Sequence, residues 1–349
     1  MNLNKIPLVS ITILCYNHEN YISKAIESCL SQTYENLEII IVDNASTDGS
    51  IEIIEAYEKK NECIKFFKLD ENRFPSGGTN FAIQQTQGEY IAILSGDDSF
   101  KSNKIEVQLN YMLEYDLSNS FTWAHIVNDK GEELLGHEMA DLFNQAFTND
   151  SLKEHFLSQG NALCALTAMF HKDIFSRHGF FDHRLLQLQD FEFWLRIIKY
   201  EPITVFQQKL TNYCVRDDES NLSLGRGKDI VLRSTFEYVF LIKHMLQFDL
   251  QILSAVTGKI CTEENKHQNI FEFYKKKKKY SYANGVLFDL YEELSADFTF
   301  PSKRYKVFFD IYSKYDPFQT HYVQKIKNIT HVTGVKSQIQ RFINKMKRN

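Results

Sequence analysis

The chain has 349 residues, 43% of them hydrophobic and 24% charged, enough for one large domain or two smaller ones with a sizeable core. Its formal net charge of −5, from 40 basic and 45 acidic residues, excludes a nucleic-acid binder by bulk electrostatics. No apolar stretch reaches the roughly 18 residues of a membrane span, and Cys15, Cys29, Cys63, Cys164, Cys214 and Cys261 form no C-x-x-C pair, which argues against a disulfide framework and a thiolate zinc site.

The apolar run near the amino terminus lacks a basic leader and a small-residue cleavage site, so it reads as a first strand, and a cytoplasmic protein is expected. "LVSITIL" (8–14) is that strand. The next helix places Ile22, Ala25, Ile26, Cys29 and Leu30 on one face, with Asn20 positioned to cap it. "LEIIIV" (37–42) is continuously apolar, as a strand buried on both faces requires. A helix over 50–60 turns Ile51, Ile54 and Tyr57 inward. A strand at 64–69, a helix beginning near Ser76 and a strand at 90–94 then complete a β-α-β-α-β-α-β series. Beyond lie a helix over 103–115, a hairpin-like 121–135 turning at Asp129-Lys130-Gly131, a mixed region to about 225, and helical periodicity to the end with lysines at 275–279.

In a mostly parallel sheet, ligands bind beyond the carboxyl ends of the strands. The segments there are "CYNHEN", "DNASTDGS", "DENRFPSGG" and "SGDDS", all polar. The Asp97-Asp98 pair admits two readings. It caps a following helix, or it binds a divalent cation that neutralises the repulsion and holds a diphosphate. Asp43 stands too early to cap the helix after it, which suits an acceptor for a base N–H or a ribose hydroxyl. His125, His137, His155, His171, His178 and His183 show no metal-ligand spacing, and no G-x-S-x-G nucleophile elbow is present.

Four segments together carry a resemblance: "VSITILCYNHENYISKAIESCLSQTYENLEIIIVDNASTDGS", "GEYIAILSGDD", "FHKDIFSRHGFFDHRLLQLQDFEFWLRIIKY" and "YCVRDDESNLS". In content, order and spacing they resemble the successive blocks of family 2 glycosyltransferases of the GT-A fold, over residues 7 to about 223. The resemblance implies an α/β fold whose mostly parallel central sheet is flanked by helices. It implies an inverting transferase of the metal-assisted hexosyltransferase type, using a nucleotide-sugar donor such as a UDP-sugar with Mg²⁺ or Mn²⁺. By the same resemblance Tyr16, Asn17, Glu19 and Asp43 lie at the nucleotide, with Asn80 in the segment that meets phosphate or sugar. Asp97 matches the last position of the D-x-D metal motif, Ser95 stands at its first, and Asp98 follows as a further metal candidate. Asp190 matches the general base. Arg216 stands where many relatives have a His near the metal, and its fork suits phosphate oxygens. The chain departs from the family pattern at Cys15, Thr79, Ser95, Gln189 and Arg216. Those departures motivate an alternative, a sugar-nucleotide-binding scaffold without catalysis that partners another transferase. Trp123, Asn161 and Gln187 are pocket candidates.

The expected organisation is a transferase domain over 1–225 and a helical region over 226–349 ending in a basic amphipathic helix. In that tail Ile326, Ile329, Val332, Val335, Ile339, Phe342 and Met346 recur at helical spacing among seven basic residues and no acidic one from Lys325 onward. Packing on its own domain and docking on an anionic membrane surface are both open readings. A glycan or lipid-linked glycan acceptor in surface polysaccharide synthesis, and a peripheral place on the inner face of the cell membrane, accord with the second.

Overall fold

The computed structural model describes residues 6–216, 221 and 228–296. Asp217, Asp218 and the basic tail helix lie outside them. The alternation expected for the first hundred residues is present as β1 (Val9–Cys15), α1 (Ile22–Leu30), β2 (Leu37–Asp43), α2 (Ser50–Glu58), β3 (Ile64–Lys68), α3 (Phe74–Gln84) and β4 (Tyr90–Ser95). Two entries into helices differ from expectation. Asn20 does not cap α1, whose first turn is held by His18 O accepting from Tyr21 N and Ile22 N at 2.9 and 2.8 Å. α3 begins at Phe74, ahead of Ser76, because Pro75 lacks an N–H and fits a first helical turn.

The chain continues through β5 (Ser99–Phe100), α4 (Lys104–Glu114), β6 (Asn119–Val127), α5 (Glu138–Phe143), α6 (Asn149–Ser158), β7 (Met169–His171), α7 (Asp173–His178), α8 (Gln189–Ile197) and β8 (Thr204–Cys214). The eight strands form one sheet in the order β3-β2-β1-β4-β7-β6-β8-β5. β3, β2, β1 and β4 are parallel, β7 runs against both β4 and β6, and β8 is parallel to β6 and antiparallel to β5. The hairpin expected at 121–135 turns at Gly131 but returns through a single bridge from Val127 to Glu133, since β6 pairs instead with β8.

The parallel half has a continuous core of Ile11, Ile13, Ile39, Ile41, Ala92 and Leu94, all essentially covered. Each such isoleucine or leucine contributes about 1.5–3 kcal/mol by burial. The exception to the apolar run of β2 is Glu38, which accepts from Ser10 Oγ, Lys65 Nζ, Gln87 N and Gly88 N at 2.6, 2.8, 2.5 and 3.1 Å. Burial alone would raise its pKa, but the bonds from Lys65, Ser10 and Gln87 hold it below the usual carboxylate range.

α9 (Lys228–Met245) and α10 (Leu250–Thr257) precede α11 (Lys266–Lys276) and α12 (Tyr280–Ala296). The chain divides into two compact units between Cys261 and Thr262, so α9 and α10 belong with the sheet. Buried Leu241, Ile242 and Met245 and the 3.0 Å pair of His244 with Glu192 of α8 account for α9 staying there. Among the described residues no helix is long and apolar enough to cross a membrane. The six cysteines are free, and all but Cys63 are buried, where burial pushes the thiols of Cys15, Cys29 and Cys214 up to about 12.

Candidate active site

The carboxyl ends of β1, β2, β4 and β8 meet. Pairing of Cys15 with Asp43 and of Leu14 with Ser95 sets the first three level. The fourth is joined by Cys214 N, which donates to Asp98 Oδ1 at 2.7 Å.

The loops after β1 and β2 are tied to each other. Asn17 N donates to Ser46 Oγ at 2.9 Å, Thr47 N to Asn17 Oδ1 at 2.8 Å, Glu19 N to Asp48 Oδ2 at 3.0 Å and Gly49 N to Glu19 Oε2 at 2.8 Å. Asn17 and Ala45 have φ of 54° and 65°, a left-handed conformation that costs a non-glycine residue about 1–2 kcal/mol. The cross-loop bonds hold the backbone in that shape. Asn17 and Glu19, expected at the nucleotide, are thus engaged first in shaping their own loop, while Tyr16 beside them is 42% exposed. Asp43 is fully buried: Oδ1 accepts from Ser46 N at 2.8 Å, and Oδ2 has no donor among the described residues.

Ser95 Oγ donates to Asp97 Oδ1. Asp97 Oδ2 accepts from Arg216 Nε and Nη2 at 2.9 and 2.5 Å. Arg216 Nη2 also donates to His18 Nε2, and the guanidinium lies 5.2 Å from the centre of the Tyr21 ring. Burial opposes ionisation of Asp97, but His18 and Arg216 override it and hold the carboxyl below its usual range. Burial lowers the pKa of His18 against the pull of Asp97. Gly96 is required here, because a Cβ at that position would fall 2.6 Å from His18 Nδ1.

A divalent cation expected at Asp97 and Asp98 does not fit these side chains. Both oxygens of Asp97 are engaged, one by a hydroxyl and one by a guanidinium. Asp98 is buried against Cys214 N, and burial together with the charge of Asp97 pushes its pKa well above the carboxylate range. It anchors β8 rather than facing outward as a ligand. Among the described residues no group of three His, Cys, Asp or Glu side chains could hold a metal ion.

Asp190 occupies the first turn of α8, whose inner face is Phe191, Phe193, Trp194, Leu195 and Ile197. Oδ1 accepts from Phe191 N at 2.6 Å and Oδ2 from Asn161 Nδ2 at 3.2 Å. Burial pushes its pKa up to about 6, against the hydrogen bonds that favour the charged form. Its surface is nonetheless partly open. Burial, Asp98 and Asp190 together raise the pKa of the buried Cys164 thiol.

Asn80 is not gathered into this group. Its amide clamps Phe181, donating to the carbonyl at 2.8 Å and accepting from the N–H at 3.0 Å, and so fixes the approach to α8. Sequence reasoning passed over two residues. His18 stood in a quoted segment without a pattern to single it out. Glu237, which binds the backbone ahead of Asp190, carried no local signal.

Residues 10–179 match the family model described as Glycosyl transferase family 2. The chain is 28% identical over 225 residues to an uncharacterized glycosyltransferase of Haemophilus influenzae, covering 64% of this chain and 85% of that protein. It is 39% identical over 128 residues to the teichuronic acid biosynthesis glycosyltransferase TuaG of Bacillus subtilis, covering 37% of this chain and about half, 51%, of TuaG. In fold it is similar to S. aureus TarS 1–349 crystallised with UDP-GlcNAc, with a TM-score of 0.57 at 16% identity over 81% of this chain and 80% of that one. Asp190 and Arg216 lie past the stretch that the family model matches; Arg216, just after β8, is tied back to the end of β4 through Asp97. With a mixed α/β sheet flanked by helices, a polar site at its strand ends and that match, residues 10–179 belong to glycosyltransferase family 2 and the chain has the GT-A fold.

Proposed function

We propose that this chain is an inverting glycosyltransferase that moves a sugar from a nucleoside diphosphate donor to a hydroxyl of a glycan acceptor, with Asp190 as general base. The observation that carries this reading is the Asp190 carboxylate, partly open at the start of a core helix, aimed by Asn161 and pushed up to about 6 by burial. Such a group is ionised at neutral pH yet basic enough to take a proton in the transition state. As Asp190 removes the acceptor hydroxyl proton, the oxygen bonds to the anomeric carbon. On the opposite face the bond to the diphosphate breaks, the leaving group keeps the electron pair, and configuration inverts.

Negative charge gathering on the departing diphosphate needs a positive partner. Arg216 supplies it in this reading, because a guanidinium held by Asp97 and His18 is already oriented at the strand ends and suits phosphate oxygens. No step is assigned to a metal. Asp43 Oδ2, a buried acceptor without a donor among the described residues, suits a nucleobase N–H. Asp43 is fully covered, so a base reaches it only if the loops bearing Asn17 and Ala45 open.

TarS is complexed with UDP and with UDP-GlcNAc, and TuaG is named for teichuronic acid biosynthesis. A UDP-sugar donor and a surface-polysaccharide acceptor, free or lipid-linked, are therefore the pair to try first. The test is a panel of nucleotide sugars screened for slow hydrolysis without acceptor. One donor is expected to be hydrolysed by the parent and spared by Asp190→Asn, while a panel that is wholly inert favours the non-catalytic scaffold.

A further inference from the structure

We propose that Glu237, on α9, is a positioning residue for the general base, gathering the backbone of residues 186–188 and so fixing where α8 starts and how Asp190 is presented. The inference rests on the assignment of Asp190 as that base. Glu237 is 4% exposed, and its two oxygens take three consecutive backbone donors: Leu186 N on Oε1 at 2.8 Å, then Gln187 N and Leu188 N on Oε2 at 3.0 and 2.8 Å. Those N–H groups lead directly into α8, whose own N-cap residue, Leu188, has no side chain able to accept. A carboxylate delivered from another helix does the work that a local Ser or Asp would do, at the pole where the helix favours negative charge.

Hydrogen bonds to a charged group are stronger than those between neutral groups, and three of them leave the entry to α8 little freedom. Asp190 follows Leu188 by two residues, inside that restrained turn. Its carboxylate is then aimed from two sides, by Phe191 N within the helix and by Asn161 across from it. Among the described residues, the titratable groups of other elements that interact electrostatically with Asp190 include Glu237 and the Cys164 thiol, which burial keeps protonated. On α8 itself Glu192 is paired with Arg196 and His244. After burial, the charge of Glu237 is the neighbour that raises the Asp190 pKa further.

The test compares Glu237→Gln, Glu237→Asp and Asp190→Asn in the full chain, with whichever UDP-sugar the parent hydrolyses. In Glu237→Gln an NH₂ group faces backbone N–H donors, so kcat is expected to fall about 10–100-fold, the scale of a small misplacement of a reacting group. The acid limb of the rate profile should also move to lower pH, because a negative neighbour is gone. Glu237→Asp keeps the charge and retracts it by one methylene, so the limb should stay while kcat falls. Parent-like kcat and limb in Glu237→Gln overturn the positioning role. Parent-like turnover in Asp190→Asn overturns the base itself, which separates the two failures. Should Glu237→Gln not fold, amide exchange in the parent decides: Leu186, Gln187 and Leu188 N–H should be as protected as the interior of α8, and loop-like exchange overturns the clamp.

Discussion

Arg216 reaches one oxygen of Asp97 through both Nε and Nη2, at 2.9 and 2.5 Å, and so joins the end of β8 to the end of β4. The pair is mostly buried, and removing the guanidinium would leave the Asp97 carboxylate without its main cationic partner. Arg216→Gln is expected to weaken UDP binding about 10–100-fold, the loss of one or two charge-assisted hydrogen bonds. Arg216→Lys should not restore it, since an ammonium cannot span Asp97 and a phosphate as a planar fork does. Calorimetric titration of the three proteins with UDP measures both effects, and unchanged affinity in Arg216→Gln would remove Arg216 from the donor site.

The same contact bears on the metal. With Ser95 and Arg216 occupying Asp97, and Asp98 turned to Cys214, UDP affinity should agree within about threefold between Mn²⁺ and excess chelator, less than the tenfold that 1.4 kcal/mol represents. A tenfold or larger loss on chelation would mean that Asp97 releases Arg216 to a cation when the donor arrives.

Asp190 predicts the pH dependence. A base must be deprotonated to act, so kcat/KM should fall with unit slope below about pH 6, where its carboxyl takes up a proton. Asn161 donates to Oδ2 and favours the ionised form. Asn161→Ala should therefore move the limb to higher pH and lower the plateau by about tenfold or more through lost aim. A limb that stays in place while activity falls would confine Asn161 to a packing role.

These residues differ in how far the sequence disclosed them. Asp43 and Asp97 were legible because a continuous apolar run such as "LEIIIV" announces a buried parallel strand, and a carboxylate just past it has few other tasks. The inner face of α1 was legible from its helical period, whereas α2 packs Ile54, Ile53 and Tyr57 on the core in place of the expected Ile51, Ile54 and Tyr57. What stayed hidden depends on contacts between distant segments. Nothing local says that β6 will pair with β8, that the amide of Asn80 will close on Phe181, or that Glu237 will meet residues 186–188. The engagement of the two candidate metal ligands was hidden at the same level. Two adjacent aspartates look alike in sequence, but strand geometry turns Asp98 into the sheet and gives Asp97 to Arg216.

Lys104, the first residue of α4, supports the sheet from beneath at a cost of its own. It is fully buried, its Nζ has no hydrogen-bond acceptor among the described residues, and it lies 4.3 Å from the centre of the Phe100 ring. Burial lowers its pKa from 10.5 to about 7, against a weak opposing pull from Cys29. Between those values the unfolded chain carries a proton that the folded chain does not, so stability should rise with pH across that window. Below about pH 7 both states are charged and the full penalty applies. Lys104→Met should therefore stabilise the protein by roughly 2–5 kcal/mol at pH 6, with the advantage shrinking toward pH 10 because the folded lysine is then neutral and no longer carries a charge into the core. Urea unfolding of parent and variant at the two pH values gives the difference, in which other titrating groups cancel. A gap that does not change with pH would show that the ammonium is paid for by the Phe100 ring and remains charged in the core.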